Sequence, residues 1–183
     1  MNHLEEYRRA VSDPSDYVQQ LKKASGKKII GYTCSYTPEE VIMAAGAHPL
    51  RLFGTKQHIS LADSHLQSYC CSVVRGILEE GLSGRIAYLD GMVFPHTCDS
   101  MQRLSDIWRM NIPFGFHLDI TLPVKLDTAS AKDYMIDVLK KFRDDLSRKL
   151  NVEISDDAVQ KAIASTNAIR QSIRAIYDLR NLY

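Results

Sequence analysis

No long apolar run occurs in this 183-residue sequence; nothing in it approaches the roughly 18 residues that a membrane-spanning helix requires. Neither charge is in excess, since 23 Lys and Arg stand against 22 Asp and Glu for a net of +1. That balance excludes nucleic-acid binding by bulk electrostatics and an acidic, disordered chain. Four cysteines without a C-x-x-C pair are too few for a disulfide scaffold. The opening Met1-Asn2-His3-Leu4-Glu5-Glu6 is polar where a signal peptide needs an apolar stretch. No G-x-x-x-x-G-K-[ST] and no G-x-G-x-x-G occurs, so neither ATP nor a dinucleotide has a recognisable cradle. Internal repeats and low-complexity tracts are absent as well. What remains is 45% hydrophobic and 25% charged, enough for one well-buried domain over 1–183. The expectation is a soluble, cytoplasmic protein with reduced thiols and neither nucleic acid nor membrane as a partner.

Strand and helix patterns alternate. Residues 2–23 read as a polar helix broken near Asp13-Pro14-Ser15, with Val18 and Leu21 as its apolar anchors. Short apolar runs at 29–32, 49–54, 91–94 and 113–122 read as strands. Thr37-Pro38-Glu39-Glu40 has the form of a capping box, and Gly46 ends the helix that follows. Residues 71–82 place Val74, Ile77 and Leu78 on one helical stripe. A second capping box at Asp99-Ser100-Met101-Gln102 opens a helix facing Met101, Leu104 and Trp108 inward. These features predict an α/β fold with a small, Rossmann-like parallel sheet over 1–128. Over 129–183 two long amphipathic helices follow, the first with Met135, Val138, Leu139, Phe142, Leu146 and Leu150. The second is capped by Ser155, carries Val159, Ile163, Thr166, Ile173, Ile176 and Tyr177, and runs to the C-terminus.

The chemistry concentrates at the cysteines. Cys34 and Cys98 each follow a predicted strand and precede a predicted helix, and ligands of open parallel sheets bind beyond the carboxyl ends of strands. Helix N-termini there favour the thiolate, the metal-binding form. Cys71 also falls at a predicted helix start, with Cys70 beside it. The three contexts are too widely separated for a zinc finger or ribbon. Three thiolates without a fourth suit an iron–sulfur cluster with one open iron, or a zinc ion completed by His96; both readings stand at this level. A buried small hydrophobe is the ordinary role of each cysteine taken alone. His96 is a candidate ligand or proton donor, with a strand-end hydrogen-bonding role favoured. His48, His65 and His117 have no evident partners. Glu39 and Glu40 read as capping residues. Ser35 is a weak catalytic candidate beside Cys34. Lys22, Lys23, Lys27 and Lys28 read as a solvated face.

Gly31-Tyr32-Thr33-Cys34-Ser35-Tyr36-Thr37-Pro38-Glu39-Glu40, followed by Ala44-Ala45-Gly46-Ala47-His48-Pro49, resembles the opening motif of the 2-hydroxyacyl-CoA dehydratase family, which also holds the subunits of benzoyl-CoA reductase. Cys71-Ser72-Val73-Val74-Arg75 is similar to its second motif. Phe94-Pro95-His96-Thr97-Cys98-Asp99-Ser100-Met101-Gln102-Arg103-Leu104 is similar to its third, and Asn167-Ala168-Ile169-Arg170 to a stretch of its final helix. The resemblance implies that Cys34, Cys71 and Cys98 ligate a 4Fe–4S cluster. It implies an acyl-CoA substrate, a related second subunit, and a separate ATP-hydrolysing activator that delivers one low-potential electron for radical dehydration or ring reduction. The family often has Pro where Ser72 stands, Cys70 is an extra thiol, and the family's second α/β domain is absent from this sequence. A double-cubane-type small-molecule reductase, or a non-catalytic assembly fragment, are the alternatives.

Overall fold

The inner strand β1 (Ile29–Tyr32) is buried at all four positions, because helices cover both faces of the sheet it centres. This is seen in a computed structural model that describes residues 3–55 and 57–180. β2 (His48–Arg51) and β3 (Gly91–Pro95) pair with β1, and β4 (Phe116–Ile120) pairs with β3. All pairings are parallel, in the order β2-β1-β3-β4. The inner strands β1 and β3 are continuous buried runs, whereas the edge strands β2 and β4 are only partly buried. That is the burial a doubly covered parallel sheet imposes.

Among the described residues seven α-helices surround the sheet: α1 (His3–Ser12), α2 (Pro14–Ser25), α3 (Glu39–Ala44), α4 (Ser72–Leu82), α5 (Asp99–Asn111), α6 (Ala129–Leu150) and α7 (Asp156–Leu179). Side chains alternate across the strands and so divide the core. Ile29, Met92 and Phe94 meet Val18 of α2, Ile77 and Leu78 of α4, and Leu104 and Trp108 of α5. Ile30, Val93, Leu118 and Ile120 meet Val41 and Ile42 of α3 and Phe142 and Leu146 of α6. α7 packs chiefly on α3. At Gly91 an added Cβ would meet the Phe116 ring at 2.4 Å, so the glycine makes room for its partner across the β3–β4 pair. Among the described residues no helix is long and apolar enough to cross a membrane.

The α/β architecture with two long C-terminal helices agrees with the sequence pattern. The break at Asp13 is a cap, since the Asp13 carboxylate accepts from Asp16 N at 3.0 Å and Pro14 opens α2. Ser155 caps α7 as expected. Both predicted capping boxes are absent. α3 begins after Pro38, while Thr37 Oγ1 donates back to Thr33 O at 3.1 Å. The position before α5 belongs to Cys98, with no side-chain cap. β2 is shorter than its apolar run, because Leu52 N makes a last bond to Tyr32 O and Phe53 then turns out to solvent. Ile173, Ile176 and Tyr177 are exposed rather than core-facing, since α7 is buried only at Ala162 and Thr166. The expected start at Asn2 and the run to Tyr183 lie outside the described residues.

Candidate functional site

Right-handed crossovers fix where the sheet opens. From β1 the chain moves one way to β2 through α3; from β3 it moves the other way to β4 through α5. The two helices therefore lie on opposite faces, which puts the switch point of the sheet, and the crevice such a switch point creates, beyond the carboxyl ends of β1 and β3. That is the ligand position of open α/β sheets.

Cys34 lies just past β1 and Cys98 just past β3, so they flank this switch point. Cys34 has φ +55, a left-handed conformation that costs a non-glycine residue about 1–2 kcal/mol. The Thr37 bond to Thr33 O holds this turn from behind. Thr97 Oγ1 donates to Cys34 Sγ at 3.4 Å, joining the loop after β3 to the loop after β1. Ser100 Oγ donates to Cys70 Sγ at 3.9 Å and so brings the turn before α4 against the start of α5. Cys34 and Cys70 are half-buried against the first core, while Cys71 and Cys98 are exposed at the N-cap positions of α4 and α5. Both helices exceed ten residues, so each of these sulfurs lies at the positive end of a helix dipole. Thr33 Oγ1, directly before Cys34, is the buried side-chain polar atom without a partner among the described residues.

His96 takes the strand-end role: its backbone N donates to Ile120 O at 2.8 Å and its Nε2 lies 2.9 Å from Asp119 Oδ1. Among the described residues no three His, Cys, Asp or Glu side chains are grouped to share one metal ion. Ser35 is exposed, and its Oγ accepts from Arg51 Nη2 at 3.2 Å, with the Arg51 guanidinium over the Phe53 ring. Arg51 and Phe53 also line an open cavity of about 780 Å³, together with Leu50, Ile77, Arg85 and Tyr88.

Several polar residues do other work than their sequence contexts suggest. Glu39 accepts from Tyr32 Oη at 2.7 Å, and burial followed by this contact pushes the Tyr32 phenol up. Arg170 bridges Glu39 and Glu40, and Thr166 donates to Glu40. Burial opposes ionisation of Glu40, but the backbone, Arg170 and Thr166 outweigh it and hold the carboxyl low. Lys23, Lys27 and Lys28 are exposed, as a solvated face requires, and Lys22 is half-buried; Lys22 and Lys28 both pair with Asp90, at 2.7 and 3.0 Å, and Asp90 also accepts from Ile29 N. His117 does have partners, Ser105 Oγ at 2.7 Å and the stacked Phe94 ring. Burial holds its imidazole below the ordinary range. His48 is held low by burial and by Lys27, and His65 is exposed. Thr97, Ser100, Asp119 and Ser105 carried no sequence signal beyond lying in or after the third cysteine motif.

A family model described as 2-hydroxyglutaryl-CoA dehydratase, D-component, matches residues 34–183, beginning at the first crevice thiol. The chain belongs to this family. A benzoyl-CoA reductase subunit of Thauera aromatica is 32% identical over 166 residues, covering 89% of this chain and 43% of that protein. The (R)-phenyllactyl-CoA dehydratase beta subunit of Clostridium sporogenes is 26% identical over 158 residues, covering 86% and 42%. The (R)-2-hydroxyglutaryl-CoA dehydratase beta subunit of Acidaminococcus fermentans is 28% identical over 184 residues, covering 97% and 47%. The chain thus spans less than half the length of these curated relatives. All three relatives of this 2-hydroxyglutaryl-CoA dehydratase D-component family member are named as subunits.

Proposed function

We propose that this chain is the thiol-bearing part of a 2-hydroxyacyl-CoA dehydratase or benzoyl-CoA reductase type subunit, in which Cys34, Cys71 and Cys98 hold a 4Fe–4S cluster beyond β1 and β3. The observation that carries the reading is the Thr97–Cys34 contact, which makes the two strand-end thiol loops one crevice. The donor set fits such a group. Soft thiolates select iron–sulfur clusters over hard cations. Each thiolate of a cubane binds its own iron, so its ligands stand apart, unlike those sharing a single ion. The unpartnered Thr33 hydroxyl beside Cys34 is a donor in search of an acceptor. When bound, the cluster supplies one-electron reduction of an acyl-CoA thioester at low potential.

The residues of the chain prepare that chemistry. Cys71 and Cys98 are placed at the positive ends of the α4 and α5 helix dipoles. Thr97 and Ser100 hydroxyls take up part of the charge on Cys34 and Cys70. Arg51 and the apolar walls beside it offer an anionic thioester a cation and a place for its carbon chain. The electron would come from a separate ATP-hydrolysing activator, with a related second subunit completing the substrate cleft. Four free thiols fit a reducing compartment, the cytoplasm.

Anaerobic reconstitution with iron and sulfide tests this reading. The expected product is a brown protein with about four irons per chain and a sulfide-to-iron charge-transfer absorption. A colourless protein that takes stoichiometric zinc instead would overturn it.

A further inference from the structure

Arg75, the last residue of the second cysteine motif, touches both ends of the segment that delivers Cys70 and Cys71. After β2 the chain runs along α4 before entering it. It passes Gly76 so closely that an added Cβ there would meet Thr55 N at 2.6 Å. Ser60 N and Ala62 N then donate to the buried Glu79 carboxylate. Asp63 follows, in the 3₁₀ turn Ala62–Ser64, and its Oδ1 accepts from Arg75 Nε at 3.1 Å and from Arg75 Nη2 at 2.5 Å. Leu66 is buried in the first core. The last turn before α4 is closed by Cys70 N, which donates to Gln67 O at 3.0 Å. Arg75 N donates to Cys71 O at 3.1 Å, in the first turn of α4. Arg75 thus holds Asp63 with its side chain and Cys71 with its backbone, and closes a ring over residues 63–71.

Neighbouring side chains of an extended backbone point to opposite sides. Cys71 is extended, at φ −60 and ψ 151, so one thiol of the pair faces inward when the other faces outward. Cys70 is the inward one, half-buried against the first core with Ser100 Oγ of α5 3.9 Å from its Sγ. Cys71 is exposed. The two side chains are chemically identical, so the path of the backbone decides which thiol is offered. A rotation of this turn would exchange them. The Arg75–Asp63 pair is half-exposed and of modest strength. A modest energy is enough to choose between two nearly equivalent arrangements.

We infer that Arg75 is a positioning residue that, through Asp63, fixes the turn before α4 so that Cys71 is offered outward as the third ligand thiol while Cys70 stays against α5. The ligand part of this inference rests on the reading of Cys34, Cys71 and Cys98 as a cluster site; the orientation of the two thiols does not.

The test alkylates the full, reduced, iron-free chain with iodoacetamide at low conversion, and tandem mass spectrometry reads each thiol separately. Each rate is divided by that of the same cysteine in the urea-unfolded chain. In the wild type Cys71 is expected to react on the order of tenfold faster than Cys70. Arg75→Ala and Asp63→Ala are each expected to lower this ratio by about two- to fivefold. The double variant should lower it no further than either single one, because both remove the same pair. Arg75→Lys, which keeps the charge, should restore most of the ratio, and the rates at Cys34 and Cys98 should stay unchanged throughout. A wild-type ratio near one, a ratio that neither variant lowers, or a change shared equally by Cys34 and Cys98 overturns the positioning role.

Iron content after anaerobic reconstitution tests the ligand part. Cys71→Ala is expected to take up none, and Cys71→Ala combined with Arg75→Ala to regain part of the wild-type iron through the freed Cys70. Iron held by Cys71→Ala alone, or none in the combined variant, overturns the choice of ligand. A wild-type chain that takes up no iron overturns the proposed function and leaves the alkylation result standing.

Discussion

Glu79, 4% exposed, is a buried carboxylate that the sequence pattern does not single out. It lies on α4 next to Leu78. In the fold its carboxylate accepts from Ser60 N at 3.0 Å and Ala62 N at 2.9 Å, pinning the segment that leads to Cys70. Burial pushes the Glu79 carboxyl up, but the backbone donors of Ala62, Ser60 and Leu61 outweigh it and hold it below the usual range. A carboxyl held low in the folded state stabilises the protein above its unfolded pKa, near 4.3, and that stability is lost as pH falls through the folded value. Glu79→Ala should therefore cost about 2–3 kcal/mol at neutral pH, because it strands buried N–H groups. Urea unfolding at pH 7 and at successively lower pH checks this. The gap between wild type and variant should shrink below about pH 4. The strand-end positions of Cys34 and Cys98 were legible where the Glu79 contacts were not, since each strand shows as a short apolar run and a helical glutamate's reach to a distant loop leaves no local mark.

At the scale of elements, α7 is held by a polar clamp. Arg170 reaches Glu40 at 2.7 Å and Glu39 at 3.2 Å, across more than a hundred residues of sequence. The adjacent Pro-Glu-Glu run is a good helix start, so capping was the local explanation of both glutamates. A contact this remote has no local signature. The clamp ties α7 to α3, the helix that begins just after the Cys34 turn. Arg170→Ala should cost about 1 kcal/mol, a modest sum because the guanidinium is 54% exposed and screened by solvent. Its larger effect should be local, with faster amide hydrogen exchange in α7 from 162 to 170 at unchanged protection in β1 and β3. Beyond Thr166 the helix lies in solvent with Ile169, Ile173 and Ile176 exposed. Periodicity shows that a face is apolar, not that anything among the described residues covers it.

For the whole molecule, the class of fold was legible because each strand is a short apolar run and each following helix has its own apolar stripe. The order β2-β1-β3-β4 was not, since parallel pairing leaves no mark on the alternation of one strand. Strand order is what puts Cys34 and Cys98, far apart in sequence, on either side of the switch point. Cys70 faces Ser100, whereas Cys71 is the N-cap residue of α4. The most direct test of the crevice as a cluster site is the iron content per chain, after anaerobic reconstitution, of the four Cys→Ala variants. Cys34→Ala, Cys71→Ala and Cys98→Ala are each expected to lose the iron, and Cys70→Ala to keep about four per chain. Full iron retention in Cys34→Ala or Cys98→Ala would contradict the site, and retention in Cys71→Ala with loss in Cys70→Ala would move the third ligand to Cys70.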